Sequence, residues 1–249
     1  MPGIHNVTAT FKVFLDDLSI RRTADLQRLS QLKNGFEGWL KIEFYLWLIA
    51  QYELEPDNED IGLEYKVWLD QRRRQMNRVT KQCDLWVREA SGRGFHYIEL
   101  KVPFANTNQG KMMLSASDDF WYMSRLLASN QSVATGSSIL LGVGFTDERW
   151  RRAIDEAVEY AGNEPGCVQT EVGSLTLVAE FPLRWAVMTK TYLQGRDNLG
   201  LAERAELSTQ PRRLSGFRIV PTLHDGVQPS TLQHQQCPHL EQARDTEQR

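Results

Sequence analysis

The sequence predicts a mixed α/β domain, and three observations carry that reading. A helical N-terminal part gives way to three strand-like segments. Two of those strands flank a glycine-bearing turn of hairpin length. A helix and a further apolar strand follow, the order in which helices cover a sheet. With 249 residues, 41% hydrophobic and 10% aromatic, the chain can enclose a substantial core. A charged fraction of 24% is that of an ordinary globular chain and excludes a disordered one.

Residues from about Asp16 to Gln51 read as two helices. Leu18, Leu26, Leu29 and Leu32 recur near helical spacing, Asn34-Gly35 is a stop, and FEGWLKIEFYLWLIAQY is apolar enough to be buried on most sides. The polar stretch Glu53 to Asp60, with Pro56, is a loop. Strands are expected at Leu63 to Trp68, Cys83 to Arg88 and Phe95 to Val102, the last two joined by Glu89 to Gly94. Asp118 to Leu127 carries a helical stripe of Phe120, Met123, Leu126 and Leu127, and Ser138 to Phe145 reads as a buried strand. Thr146 precedes an amphipathic helix from Asp147 to Ala161. Its acidic first turn suits the helix dipole, and Gly162 suits its end. Leu175 to Phe181 and Trp185 to Leu193 look like a hairpin turning at Pro182. From Ser208 the composition is polar and Gln-rich without periodicity. One domain is therefore expected over 1–207 and a mobile tail over 208–249.

The formal net charge of −3 argues mildly against tight, non-specific binding of a polyanion, though a local basic patch can still supply it. Cys83, Cys167 and Cys237 are scattered, which suits a reducing compartment and gives no zinc framework. The first residues lack the pattern of a secretory leader, and the longest apolar run, Phe44 to Ala50, is too short to span a bilayer. A cytoplasmic protein without a membrane partner is the expectation.

Side chains alternate along a strand, so in FHYIELKV the residues Tyr97, Glu99 and Lys101 share one face while Ile98, Leu100 and Val102 share the other. The same rule puts Asp84 and Trp86 opposite Leu85 and Val87. If the two strands pair as a hairpin, Asp84 lies close to Glu99. Two adjoining carboxylates repel unless a cation neutralises them, and such oxygen ligands suit magnesium or manganese. A metal of this kind stabilises charge on a phosphate and acidifies a bound water, which a neighbouring lysine can orient or deprotonate.

This pattern resembles the PD-(D/E)XK, or restriction-endonuclease-like, nuclease superfamily. Asp84 matches its first acid and Glu99-Leu100-Lys101 its (D/E)-x-K element, while Glu43 in WLKIEFYLWL matches the glutamate often found on the first core helix. Cys83 stands where the proline of the family name would be. The resemblance, over roughly Gly35 to Phe145, implies a core of helix, three mixed strands, helix and strand, here with an extra C-terminal helix and hairpin. It implies a magnesium- or manganese-dependent nuclease acting on nucleic acid, DNA before RNA. Asp84, Glu99 and Glu43 would be the metal ligands and Lys101 the water-activating residue. A homodimer is compatible with the sequence, which does not fix the oligomeric state.

Each residue also has a plainer reading. Glu99 and Lys101 could be an exposed ion pair, and Glu43 a solvated residue on the least buried side of its helix. His96, on the core side of its strand, reads as structural. Glu64-Tyr65-Lys66 is a rival Glu-x-Lys, set aside because Asp57 before it lies in a loop. The basic run Arg72, Arg73, Arg74, Arg78 and Lys81 could follow a nucleic-acid backbone or be a solvated face. Trp150 and Trp185 fit cores better than base-stacking platforms, and the spacing of His224, His234 and His239 is not that of a rigid metal site. A nuclease fold that has lost catalysis and serves as a binding or regulatory subunit is the alternative function.

Overall fold

Six strands form one mixed sheet: β1 (Ile61–Trp68), β2 (Thr80–Arg88), β3 (Phe95–Lys101), β4 (Val133–Val143), β5 (Val168–Leu175) and β6 (Leu183–Thr191), in spatial order β1-β2-β3-β4-β6-β5. Only β3 and β4 pair in parallel; the other neighbours are antiparallel. The computed structural model describes residues 2–32, 35–70, 78–127, 132–162, 168–175 and 182–192. The chain divides between Leu201 and Ala202, and all the described residues belong to the first unit. The expected tail over 208–249, with its three histidines, and the arginines Arg72, Arg73 and Arg74 lie outside the described residues.

Among the described residues five α-helices sandwich this sheet. On one face α1 (Val7–Arg21), α2 (Thr23–Ser30) and α3 (Glu37–Tyr52) bury Phe11, Phe14, Leu18, Leu26, Phe44 and Leu48 against Leu85, Val87, Ile98, Leu100, Ile139 and Leu141. On the other, α4 (Gln109–Met123) and α5 (Asp147–Tyr160) bury Phe120, Trp150, Ile154 and Ala157 against Leu140, Ala186 and Met188. The alternation Ile139, Leu140, Leu141 along β4 shows why this stretch is continuously apolar: both of its faces are covered. Trp150 is fully buried and donates from Nε1 to the carbonyl of Trp185 at 3.1 Å, so both tryptophans serve the core. Among the described residues no helix is long and apolar enough to cross a membrane.

Several boundaries differ from the sequence expectation. The N-terminal part holds three helices, because the stripe Val7, Phe11, Phe14, Leu18 starts a helix well before Asp16, capped by Asn6, whose Oδ1 accepts from the Ala9 amide at 2.9 Å. Helix α3 is less buried than expected: Ile42 and Leu46 are about half exposed on its outer side. Helix α4 starts at Gln109, not Asp118, and ends at Met123, while β4 starts at Val133 in place of Ser138. The C-terminal hairpin is present, but its first strand is Val168–Leu175; residues 176–181 lie outside the described residues. The turn between β2 and β3 places Gly92 at φ 74°, a conformation that costs glycine little.

One irregularity positions the site. In β1, Leu63 packs towards α1–α3 while Val67 packs on the α4 side, although regular alternation puts both on one face. The same switch separates Leu85 from Cys83 in β2. Between them lie Glu64, at φ 56°, and Asp84, bracketed by the pairs Leu63↔Leu85 and Tyr65↔Cys83. Both strands therefore change the face they present at the position of Asp84.

Candidate active site

Strands β2 and β3 pair from Arg88↔Phe95 to Leu85↔Ile98, and the next position along this register brings Asp84 level with Glu99. The backbone ladder stops there. In its place Asp84 Oδ2 accepts from the Leu100 amide at 2.8 Å, so a side chain takes the bond a main-chain carbonyl would otherwise accept. Asp84 Oδ1 accepts from Lys41 at 3.2 Å, and Lys41 also bonds Glu64.

Glu99 and Lys101 face α4, as alternation along β3 requires. Glu99 is 4% exposed. Its Oε1 accepts from Lys81 at 3.1 Å and lies 3.7 Å from Lys101. Asp119, on the buried stripe of α4 between Ala116 and Met123, gives one oxygen to each lysine: Oδ1 to Lys81 at 2.6 Å and Oδ2 to Lys101 at 3.4 Å. Lys101 further donates to Glu37, in the first turn of α3, at 3.1 Å. Three lysines and five carboxylates thus interleave among the described residues, leaving negative charge in excess.

The electrostatics follow from burial and proximity. Burial, then Asp84 and Asp119, push the Glu99 carboxyl up to about 8 against the opposing pull of Lys81 and Lys101. Burial works against the Lys101 ammonium, but Asp119, Glu37 and Glu99 outweigh it and its pKa is raised. Lys81 is likewise held charged by Glu99 and Asp119 in spite of burial. The nearby Cys83 thiol is pushed up to about 12, chiefly by burial, which leaves it unreactive.

Among the described residues two buried side-chain oxygens remain without a hydrogen-bond partner: Glu99 Oε2 and Ser138 Oγ. Ser138 pairs with Glu99 across β3 and β4, so the two side chains stand next to one another on the same face. A buried oxygen left unpaired costs free energy, and the cost is removed by a bound cation or water. No three His, Cys, Asp or Glu side chains among the described residues converge as a ready-made metal cage. The hard oxygen donors of Asp84 and Glu99, with Oε2 of Glu99 unpaired while its Oε1 faces the lysines, nevertheless suit magnesium or manganese.

The structure brings Asp84, Glu99 and Lys101 together and corrects two other assignments. Glu43 lies away from the cluster: Arg22 holds it at 3.1 Å and Arg21 at 3.9 Å. Two residues on from Lys41, it points about 200° around α3, towards α1 and α2. Lys81 does not extend outward as a phosphate clamp would: its side chain, only 12% exposed, turns in to pair with Glu99 and Asp119. Arg78 lies over the Tyr122 ring at 5.9 Å. Of the rival motif, Glu64 reaches the cluster edge through Lys41, while Lys66 is exposed. His96 is structural: it bonds Thr135 Oγ1 at 2.9 Å and the Ile4 carbonyl at 3.0 Å. Sequence reasoning missed Asp119, Glu37 and Lys41. The signal for Asp119 was an acid three residues from Ala116 and four from Met123, on a stripe that should be apolar. Glu37 read only as an acid suited to a helix start.

Comparison with protein families, with characterised proteins and with solved structures finds no match to this chain.

Proposed function

We propose that this chain is a metal-dependent phosphodiester hydrolase with a restriction-endonuclease-like core, acting on nucleic acid and on DNA first. The observation that carries the reading is the break in the β2–β3 ladder, where Asp84 and Glu99 meet beside Lys101 and Glu99 Oε2 is left unpaired. The order α3, β1, β2, β3, α4, β4, with β3 and β4 parallel, supports the fold assignment. Asp84 and Glu99 would hold magnesium or manganese, with Glu37 taking the helix position expected of Glu43. The bound ion supplies charge stabilisation at the phosphate and a more acidic water. Lys101, kept as an ammonium by three carboxylates, acts as a fixed positive charge that orients water or neutralises charge on phosphate, and not as a base.

A second reading is supported by the lysines themselves. Lys81 and Lys41 already engage Glu99 and Asp84, as they would in a nuclease fold kept only for binding or regulation. Incubation of the full chain with single- and double-stranded DNA and RNA, with Mg²⁺, Mn²⁺ or chelator, separates the two. Hydrolysis is expected with either metal only, and its loss by roughly 10²–10³-fold or more in Glu99→Gln and Asp84→Asn. Binding without cleavage of any substrate would establish the non-catalytic reading.

A further inference from the structure

Within the reading just given, we propose that Lys81 is a built-in cation that fills the position between Glu99 and Asp119, so that the site takes one divalent ion and not two. Lys81 leaves the end of β2 for the interior: its Nζ sits 2.6 Å from Asp119 Oδ1 and 3.1 Å from Glu99 Oε1. A largely covered ammonium is costly unless paired, and here two buried carboxylates from different elements pair it. A bridging charge between two acids is what a second metal ion would otherwise supply.

The remaining oxygens mark where the single ion goes. Glu99 spends Oε1 on the lysines, and its Oε2, buried and without a partner, is free on the other side of the carboxylate. Ser138 Oγ, the neighbouring unpaired oxygen, stands on the same face of the sheet. Both oxygens of Asp119 already meet an ammonium, Oδ1 that of Lys81 at 2.6 Å and Oδ2 that of Lys101 at 3.4 Å. Asp119 is therefore a positioning residue that fixes both ammonium groups, not a ligand. Removal of the Lys81 charge would free Asp119 Oδ1, leave Glu99 Oε1 with only the longer Lys101 contact at 3.7 Å, and open a second site of the same hard-oxygen chemistry.

The test is a calorimetric titration of Mn²⁺ alone into the full chain, without nucleic acid. Wild type is expected to take one ion, Lys81→Ala two, and Lys81→Ala combined with Asp119→Asn one. Two ions in wild type, or one in Lys81→Ala, overturns the inference and leaves the nuclease reading intact. A wild type that takes no Mn²⁺ overturns both. Should Lys81→Ala not fold, thermal unfolding of Lys81→Met decides. This variant keeps the aliphatic stem and loses only the charge, so Mn²⁺ must raise its Tm more than it raises that of wild type. An equal or smaller shift overturns the proposal.

Discussion

Both ends of strand β2 meet buried carboxylates, and the two ends are built differently. At the C-terminal end Arg88 donates to Asp60 Oδ1 at 2.7 Å and to the carbonyls of Asn58 and Glu59 at 3.1 and 3.0 Å. The second oxygen of Asp60 accepts from the Glu55 amide at 3.3 Å. One anion meets one cation there, and both carboxylate oxygens of Asp60 are bonded. At the other end the acids outnumber the lysines, Glu99 Oε2 is unpaired and its carboxyl is pushed up to about 8. A pair that only holds a fold satisfies its atoms, and the unpaired oxygen at the other end is what the proposed metal site would use.

That contrast is sharpest in stability. Arg88→Met strands the buried Asp60 carboxylate and should lower the unfolding free energy by about 3 kcal/mol in urea denaturation. Glu99→Gln replaces a carboxyl that burial, Asp84 and Asp119 keep largely protonated near neutral pH, so without metal its stability there should stay close to that of wild type. A large loss in both variants would make the two ends of β2 alike and remove the distinction.

A smaller effect is expected in the pH dependence. Glu99 titrates near about 8 in the fold against 4.5 ordinarily, so between these values the folded chain holds a proton that the unfolded chain has released. Its contribution is therefore present at low pH and lost as pH rises through this window, with levelling above about 8. Melting temperatures in chelator should show this fall in wild type and its flattening in Glu99→Gln. Identical profiles would mean that Glu99 is ionised throughout.

The smallest effects separate the two glutamates at the margins. Glu43→Gln loses ion pairs to half-exposed arginines and should cost under about 1 kcal/mol, with cleavage unchanged. Glu64→Gln leaves Lys41 with Asp84 alone and should slow cleavage a few-fold at most. A loss in Glu43→Gln comparable to that in Asp84→Asn would restore Glu43 to the site.

Period and turn chemistry made much of the fold legible. The alternation in FHYIELKV placed Glu99 and Lys101 on one face and His96 with the core, and the glycine-bearing turn after Arg88 brought Asp84 to them. These features are local, since side-chain direction in a regular strand depends on parity alone. Glu43 failed because α3 is apolar over most of its length, and a helix of that kind does not announce which polar residue meets the sheet. Its packing turned Glu37 and Lys41 to the site and Glu43 to α1 and α2.

The sequence by itself determined the mixed α/β class, the β2–β3 hairpin and the acid-acid-lysine set, because each rests on spacing within one or two adjoining elements. Only the tertiary structure decided the rest. It carried Lys81 inward, set Asp119 of α4 across from it and switched the faces of β1 and β2 at Glu64 and Asp84. Those outcomes depend on elements far apart in the chain sharing one buried volume, where the balance of charge and desolvation is struck by neighbours that no local pattern records.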